Sequence, residues 1–277
     1  AYGSVVLDAS TSILTYTLNN SSTSVQQLSA GATVVDTFSV SVTDGKASNS
    51  KAFSFSITGA NDAPTVAAGS PSSGLVEAGG VSNATSGAST ATIALSKGDI
   101  DGTASYDSAH LISNGWSLVS TGIYDKVGSY GSARFDLAAG VVTYTLNNIA
   151  AATQSLTAGQ VVTDSFGVIQ VTDGTATAQT SALSFSITGS NDAPTVSAGS
   201  PSASLVEAGG VSNATTGVTT ATITLSKSDV DGSASYDLAH LTSNGWSNPV
   251  SGVYTKAGIY GSASFDINTG VVTYTLN

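Results

Sequence analysis

The stretch YGSARFDLAAGVVTYTLNN, residues 130–148, decides the fold. In its second half Val142, Tyr144 and Leu146 share one face, and Val141, Thr143 and Thr145 share the other. A period of two carried by β-branched and aromatic residues marks a strand with one buried face. YGSARFDL alternates in the same way, and AAG at 138–140 separates the halves with turn chemistry, so the stretch predicts a β-hairpin. Similar runs follow at 91–96 (ATIALS), 161–173 (VVTDSFGVIQVTD) and 181–189 (SALSFSITG). Asp-Gly turns lie at 44–45, 101–102, 173–174 and 231–232, and NTG lies at 268–270. No segment combines a helical period with caps. LSAGA (28–32) and LTAGQ (156–160) are expected to form at most a single helical turn.

The hairpin occurs three times. YGSVVLDASTSILTYTLN (2–19) and YGSASFDINTGVVTYTLN (260–277) are its other copies. NDAPTV stands at 61–66 and 191–196, VEAGGVSNAT at 76–85 and 206–215, and SNGW at 113–116 and 243–246. These pairs are 130 residues apart. Such a period exceeds the roughly 20–50 residues of solenoid repeats and suits one antiparallel β-sandwich of the immunoglobulin or cadherin type per repeat. The expected organisation is the back part of one repeat at 1–62, a complete repeat at 63–192 and the front part of a third at 193–277. Because the hairpin appears at both ends, the segment is expected to be a window on a longer tandem array.

Composition narrows the function. The 277 residues include no Cys and two His. That leaves no disulfide framework, cysteine zinc site, iron–sulfur cluster or thiol nucleophile. A net charge of −11 opposes binding to nucleic-acid phosphates. Only 9% of residues are charged, yet 40% are apolar, which argues for a packed core. No apolar run approaches the roughly 18 residues of a membrane-spanning helix. AYGSVVLDAS has neither the basic start nor the apolar run of a signal peptide.

There is no GxSxG, HExxH, P-loop or GxGxxG, so an enzyme is not expected. His110 and His240 fall in SYDxAHL beside Asp107 and Asp237, without a defined nucleophile, and read as structural. Trp116 and Trp246 in SNGW read as core or loop anchors before sugar-stacking platforms. NAT at 83–85 and 213–215 fits the glycosylation sequon, a frequent chance match in an Asn- and Thr-rich chain.

The acidic residues are scarce and regularly placed. Of the eighteen, only Asp125 lacks a counterpart in another repeat, where Thr255 stands instead. Around the first linker, ITGANDAPTV, lie Asp44, Asn61, Asp62, Glu77, Asp99 and Asp101. Around the second lie Asp173, Asn191, Asp192, Glu207, Asp229 and Asp231. Carboxylates meeting there would repel by roughly 1–4 kcal/mol per pair at about 4 Å. A hard cation would relieve this, and oxygen ligands without imidazole or thiolate point to Ca²⁺. The alternative is that Asp and Asn before Gly or Pro only make turns. DIDGTASYDSAH is not an EF-hand: its sixth position is Ala104 and its twelfth is His110. Asp107 and Asp237 are weaker ligand candidates, and Asp8, Asp136 and Asp266 read as hairpin-turn residues.

The segments YGSxxFDxxxGVVTYTLNN, LxAGxxVxDxFxVxVTDG and SFSITGxNDAPTV resemble the VCBS-type repeat of giant bacterial surface adhesins, many of the RTX class. The resemblance covers essentially the whole chain. It implies cadherin-like or immunoglobulin-like sandwiches in tandem, extracellular, on a bacterial surface or in a biofilm matrix. TGANDAPTV is also similar to the cadherin linker DxNDNxPxF. That similarity implies Asn61 and Asp62 as linker ligands for Ca²⁺, with Asp99 and Asp101 as the DxD of the following domain. Gly59 and Ala63 depart from that pattern, and VEAGG has one acid fewer than the usual VEDG-like opening, which implies fewer ions per junction. The RTX nonapeptide GGxGxDxUx is absent. The function expected is a structural extender stiffened by Ca²⁺, with neighbouring repeats as partners. The alternative is a module that binds glycan or associates with its own copies into fibres.

Overall fold

The computed structural model describes residues 1–80, 86–212 and 215–277. The NAT sequon at 83–85 lies outside the described residues, as do Asn213 and Ala214 of the second. The chain is predominantly β, in several antiparallel sheets, as the alternating runs require. It divides into two compact units. One comprises Ala1–Leu75, Ser89–Asn147 and Val162–Ile187; the other comprises Val76–Ala88, Asn148–Val161 and Thr188–Asn277.

The first unit is built on a six-stranded sheet in the order Thr65–Ala68, Thr90–Gly98, Val141–Leu146, Gly131–Asp136, Ile123–Val127, Ser117–Ser120. Within the deciding hairpin Gly131 pairs with Leu146 and Phe135 with Val142. Phe135, Val142 and Tyr144 are completely buried while Thr145 is exposed, so the period-two pattern sorts the strand's faces as the sequence predicts. A Cβ at Gly131 would stand 2.3 Å from the Thr145 carbonyl oxygen and 2.7 Å from Tyr144 Oη. Only glycine permits this close approach, which explains the YGS motif. Tyr144 stacks on Phe185 from the strand Leu183–Thr188, with centroids 4.9 Å apart, and meets Phe166 edge-on at 5.6 Å. Trp116 is buried against Phe135 and Phe166 and so is a core residue.

The same unit holds the hairpins Gly3–Asp8/Ile13–Leu18 and Thr33–Thr43/Ser48–Thr58. Tyr16 stacks on Phe55 at 4.8 Å, the counterpart of the Tyr144–Phe185 contact.

The second unit contains another six-stranded sheet with strands in the same order: Thr195–Ala198, Thr220–Ser228, Val271–Leu276, Gly261–Asp266, Val253–Ala257, Ser247–Val250. Each strand lies 130 residues after its counterpart in the first sheet. Phe265, Tyr254 and Ala221 are its buried apolar side chains.

Helix is confined to short turns. Thr23–Gln26 and Ala151–Gln154 lie just before LSAGA and LTAGQ, which are themselves not helical. Ser108–Ser113 and Leu238–Ser243 show no period because six residues are too few to reveal one. Their signal is the N-cap instead: Asp107 Oδ1 accepts from Ala109 N and His110 N, and Asp237 Oδ1 accepts from His240 N. Asp107 Oδ2 accepts from Gln170 Nε2. Both aspartates act as N-caps. Asp8, Asp136 and Asp266 each accept backbone N–H groups two residues onward, as turn residues do.

Candidate metal centre

In the first unit the site grows from a strand pair. Thr65 pairs with Gly98, setting the end of the first linker beside the loop that carries Asp99 and Asp101. The loop is tight: Asp101 N donates to Asp99 Oδ1 at 3.3 Å, and a Cβ on Gly102 would sit 3.2 Å from Asp99 Oδ2. Asp99 Oδ2 and Asp101 Oδ1 are buried without a hydrogen-bond partner. Ser29 Oγ donates to the Asp101 carbonyl at 2.7 Å. Asn61 Nδ2 donates to the Asp62 carbonyl and to Asp173 Oδ2, both at 2.9 Å.

Asp173 therefore belongs with the first linker rather than the second. Its carboxyl is held below the usual range by the Ala176 N–H, then by the Asn61 amide and the Thr175 N–H. Asp44 does not join this group. It closes its own turn by accepting from Lys46 N and Ala47 N, which lower its pKa. The eleven-residue strand Ser48–Thr58 runs from that turn to the linker, a distance of roughly 35 Å at about 3.3 Å per residue.

In the second unit Glu77 is completely buried. Its Oε1 accepts from Gln154 Nε2 at 3.0 Å and its Oε2 from Ser190 N at 3.2 Å. Ser190 Oγ donates to the Glu77 carbonyl at 2.7 Å, and Glu77 N to the Thr188 carbonyl at 2.9 Å. Glu77 thus stands with the second linker, not with Asn61 and Asp62. Thr65–Ala68 pairs with Leu95–Gly98, the chain bends at residues 72–73, and Val76 then pairs with Ala88.

Asp192 is buried; its Oδ1 accepts from Gly80 N and its Oδ2 has no partner. Asn191 Nδ2 donates to the Asp192 carbonyl at 2.7 Å. Asp229 Oδ1 and Asp231 Oδ1 are likewise buried without partners. Burial raises the pKa of Glu77, and the charges of Asp192 and Asp231 add to it against the Ser190 N–H. Burial also raises that of Asp229, followed by the hydrogen bond and charge of Asp231 and the charge of Asp192. Glu77 and Asp229 thus both feel the charges of Asp192 and Asp231.

Nearby cations are engaged elsewhere. Lys227 Nζ donates to the Ala234 carbonyl and lies 5.5 Å from the Tyr236 ring centroid; Lys97 does the same with Ala104 and Tyr106. Glu207 is exposed, beside Leu205 and Tyr260.

Among the described residues no three His, Cys, Asp or Glu side chains form a metal-holding cluster by themselves. A hard cation is not restricted to such clusters. Ca²⁺ takes six to eight oxygens and draws them from backbone and Asn carbonyls as well as carboxylates. The chemistry present fits that demand: partnerless buried carboxylate oxygens, flanked by Asn61 or Asn191, with no soft donor. Asp62, Asp99, Asp101 and Asp173 with Asn61 are the candidate donors near the first linker. Glu77, Asp192, Asp229 and Asp231 with Asn191 are the candidates near the second. Ser29, Gln154 and Ser190 support these loops and were invisible in sequence, because nothing distinguishes them from the many other Ser and Gln residues.

No protein-family model matches the chain, and no curated protein matches it.

Proposed function

We propose that this chain is a run of tandem β-sandwich repeats serving as a structural extender of a bacterial surface or biofilm-matrix protein, stiffened by Ca²⁺ where repeats meet. The observation that carries the reading is the set of five partnerless buried carboxylate oxygens, on Asp99, Asp101, Asp192, Asp229 and Asp231. Asp99 and Asp101 follow the first NDAPTV copy at the same spacing as Asp229 and Asp231 follow the second, and Asp192 lies within the second copy. A buried carboxylate oxygen without a donor costs free energy. Their repetition in both linker regions argues for a ligand in place of a chance defect. The work done is mechanical: without a cation the carboxylates repel, and with one the linker and the loops on either side share a coordination shell. No catalytic step is assigned. The extracellular setting and the adhesin context follow from the resemblance of the repeats.

Calorimetric titration with Ca²⁺ tests the reading. Binding heat and a chelator-reversible rise in melting temperature are expected. No heat, together with identical melting in Ca²⁺ and EDTA, would leave these residues as turn formers and remove the mechanism.

A further inference from the structure

Two loops of one design precede the linkers, LSAGA at 28–32 and LTAGQ at 156–160. Each is buckled to the glycine through which the chain enters its linker. Gly31 N donates to the Gly59 carbonyl at 3.0 Å, and Gly59 N to the Ala32 carbonyl at 2.8 Å. Gly159 N donates to the Gly189 carbonyl at 2.9 Å, and Gly189 N to the Gln160 carbonyl at 2.8 Å. A Cβ on Gly59 would collide with the Leu28 and Ser29 carbonyl oxygens, and one on Gly189 with those of Leu156 and Thr157. The backbone therefore presents the residue after the leucine, Ser29 or Thr157, in the same local geometry at both linkers.

The two hydroxyls have different partners. Ser29 Oγ donates to the Asp101 carbonyl at 2.7 Å, reaching 72 residues along the chain into the DIDG loop of the following repeat. Thr157 Oγ1 donates to Gln160 Oε1 at 3.2 Å, and Thr157 N donates to the same oxygen at 3.1 Å. The last residue of each loop makes the difference. Ala32 has no side-chain acceptor to offer Ser29, whereas Gln160 holds Thr157 against its own loop. The DVDG loop of the next repeat is as tight as DIDG: a Cβ on Gly232 would stand 3.1 Å from Asp229 Oδ2, and one on Gly102 3.2 Å from Asp99 Oδ2.

We propose that Ser29 is a positioning residue for the cation site at the first linker, and that Gln160 withdraws the equivalent hydroxyl from the second. The inference rests on the proposed Ca²⁺ role of these loops. Ser29 acts through Asp101: its hydroxyl fixes the Asp101 peptide, so that the buried, partnerless Asp99 Oδ2 and Asp101 Oδ1 are set before a cation arrives. A loop already held in its bound conformation loses less freedom on binding.

Calorimetric titration of the 277-residue chain with CaCl₂ is the test, the first-linker class being the one that Asp101→Ala removes. Ser29→Ala should weaken that class roughly two- to tenfold, the worth of one hydrogen bond, and leave the other class unchanged. Ser29→Thr keeps the hydroxyl and should restore the original affinity. Gln160→Ala releases Thr157 and should tighten the second class by a similar factor. Circular dichroism checks that each variant keeps its strands. If Ser29→Ala lowers the melting temperature in EDTA and leaves both affinities as they were, the hydrogen bond only stabilises the fold and the inference is overturned. Equal losses of affinity in Ser29→Ala and Ser29→Thr overturn it too, and a second class unmoved by Gln160→Ala removes the role given to Gln160. Absence of binding heat from the unsubstituted chain defeats the Ca²⁺ reading itself, whereas binding that Ser29→Ala leaves intact defeats this inference alone.

Discussion

Asp164 and Glu77 are both buried carboxylates, and their surroundings give them opposite characters. Asp164 has three donors and satisfies the core. Tyr144→Phe removes one of these hydrogen bonds to a charged group, and chemical denaturation should show a loss of about 1.5–3 kcal/mol. Glu77 is met by two donors, but burial and then the charges of Asp192 and Asp231 raise its pKa. A carboxyl whose folded pKa is raised contributes stability when protonated and loses it as pH rises through that value. Asp229 shifts the same way. In EDTA the melting temperature should therefore climb as pH falls toward the ordinary carboxylate range. The carboxyls with lowered pKa, Asp173 and Asp44 among them, oppose this only nearer pH 4 and below. Saturating Ca²⁺ holds the carboxylates ionised and should flatten or invert the trend. A melting temperature that falls with pH in EDTA would contradict this account of Glu77. Asp125, the one acid without a repeat counterpart, makes a bidentate ion pair with Arg134 across neighbouring strands. Thr255 and Ser264 occupy both positions in the other copy, so the charges come and go together. At such exposure the pair is worth about 0.2–1 kcal/mol.

At the scale of elements, the hairpin at 130–148 was legible because alternation, a Gly-bearing turn and a glycine under Tyr144 all specify the same register. The helices at 108–113 and 238–243 were not, since their only sequence mark is an aspartate that also looks like a ligand. Asp107→Ala distinguishes the roles. As a cap it should cost about 1 kcal/mol of stability and leave Ca²⁺ affinity unchanged. A drop in affinity on titration would restore Asp107 as a ligand. The expected helical turn fell a few residues early, at Thr23–Gln26 and Ala151–Gln154. There, backbone hydrogen bonds from Val25 to Ser22 and from Thr153 to Ala150 close the turns, and buried Val25 and Thr153 anchor them.

For the whole molecule, the two proposed cation sites use separate residues, so they should be lost separately. Asp101→Ala is expected to abolish one class of Ca²⁺ sites in calorimetry and leave the class around Asp192 and Asp231 intact. Loss of both would mean that the two are not independent. A cation binding only the folded state at a hundred times its dissociation constant adds about 2.7 kcal/mol. For a chain of this size that corresponds to a rise of roughly 5–10 °C in melting temperature, which differential scanning calorimetry would detect.

The sequence alone determined the strands, the turns, the 130-residue period and the acidic positions, because each is written in local residue order. It could not determine which acids meet. Asp44, Glu77 and Asp173 are all near a linker in sequence. The fold then sets Glu77 against Ser190, leaves Asp44 at the opposite end of its hairpin, and returns Asp173 to Asn61. Proximity along the chain says little about proximity in space once a strand of ten residues intervenes, and only the tertiary pairing of those strands decides which end of a sheet a side chain reaches.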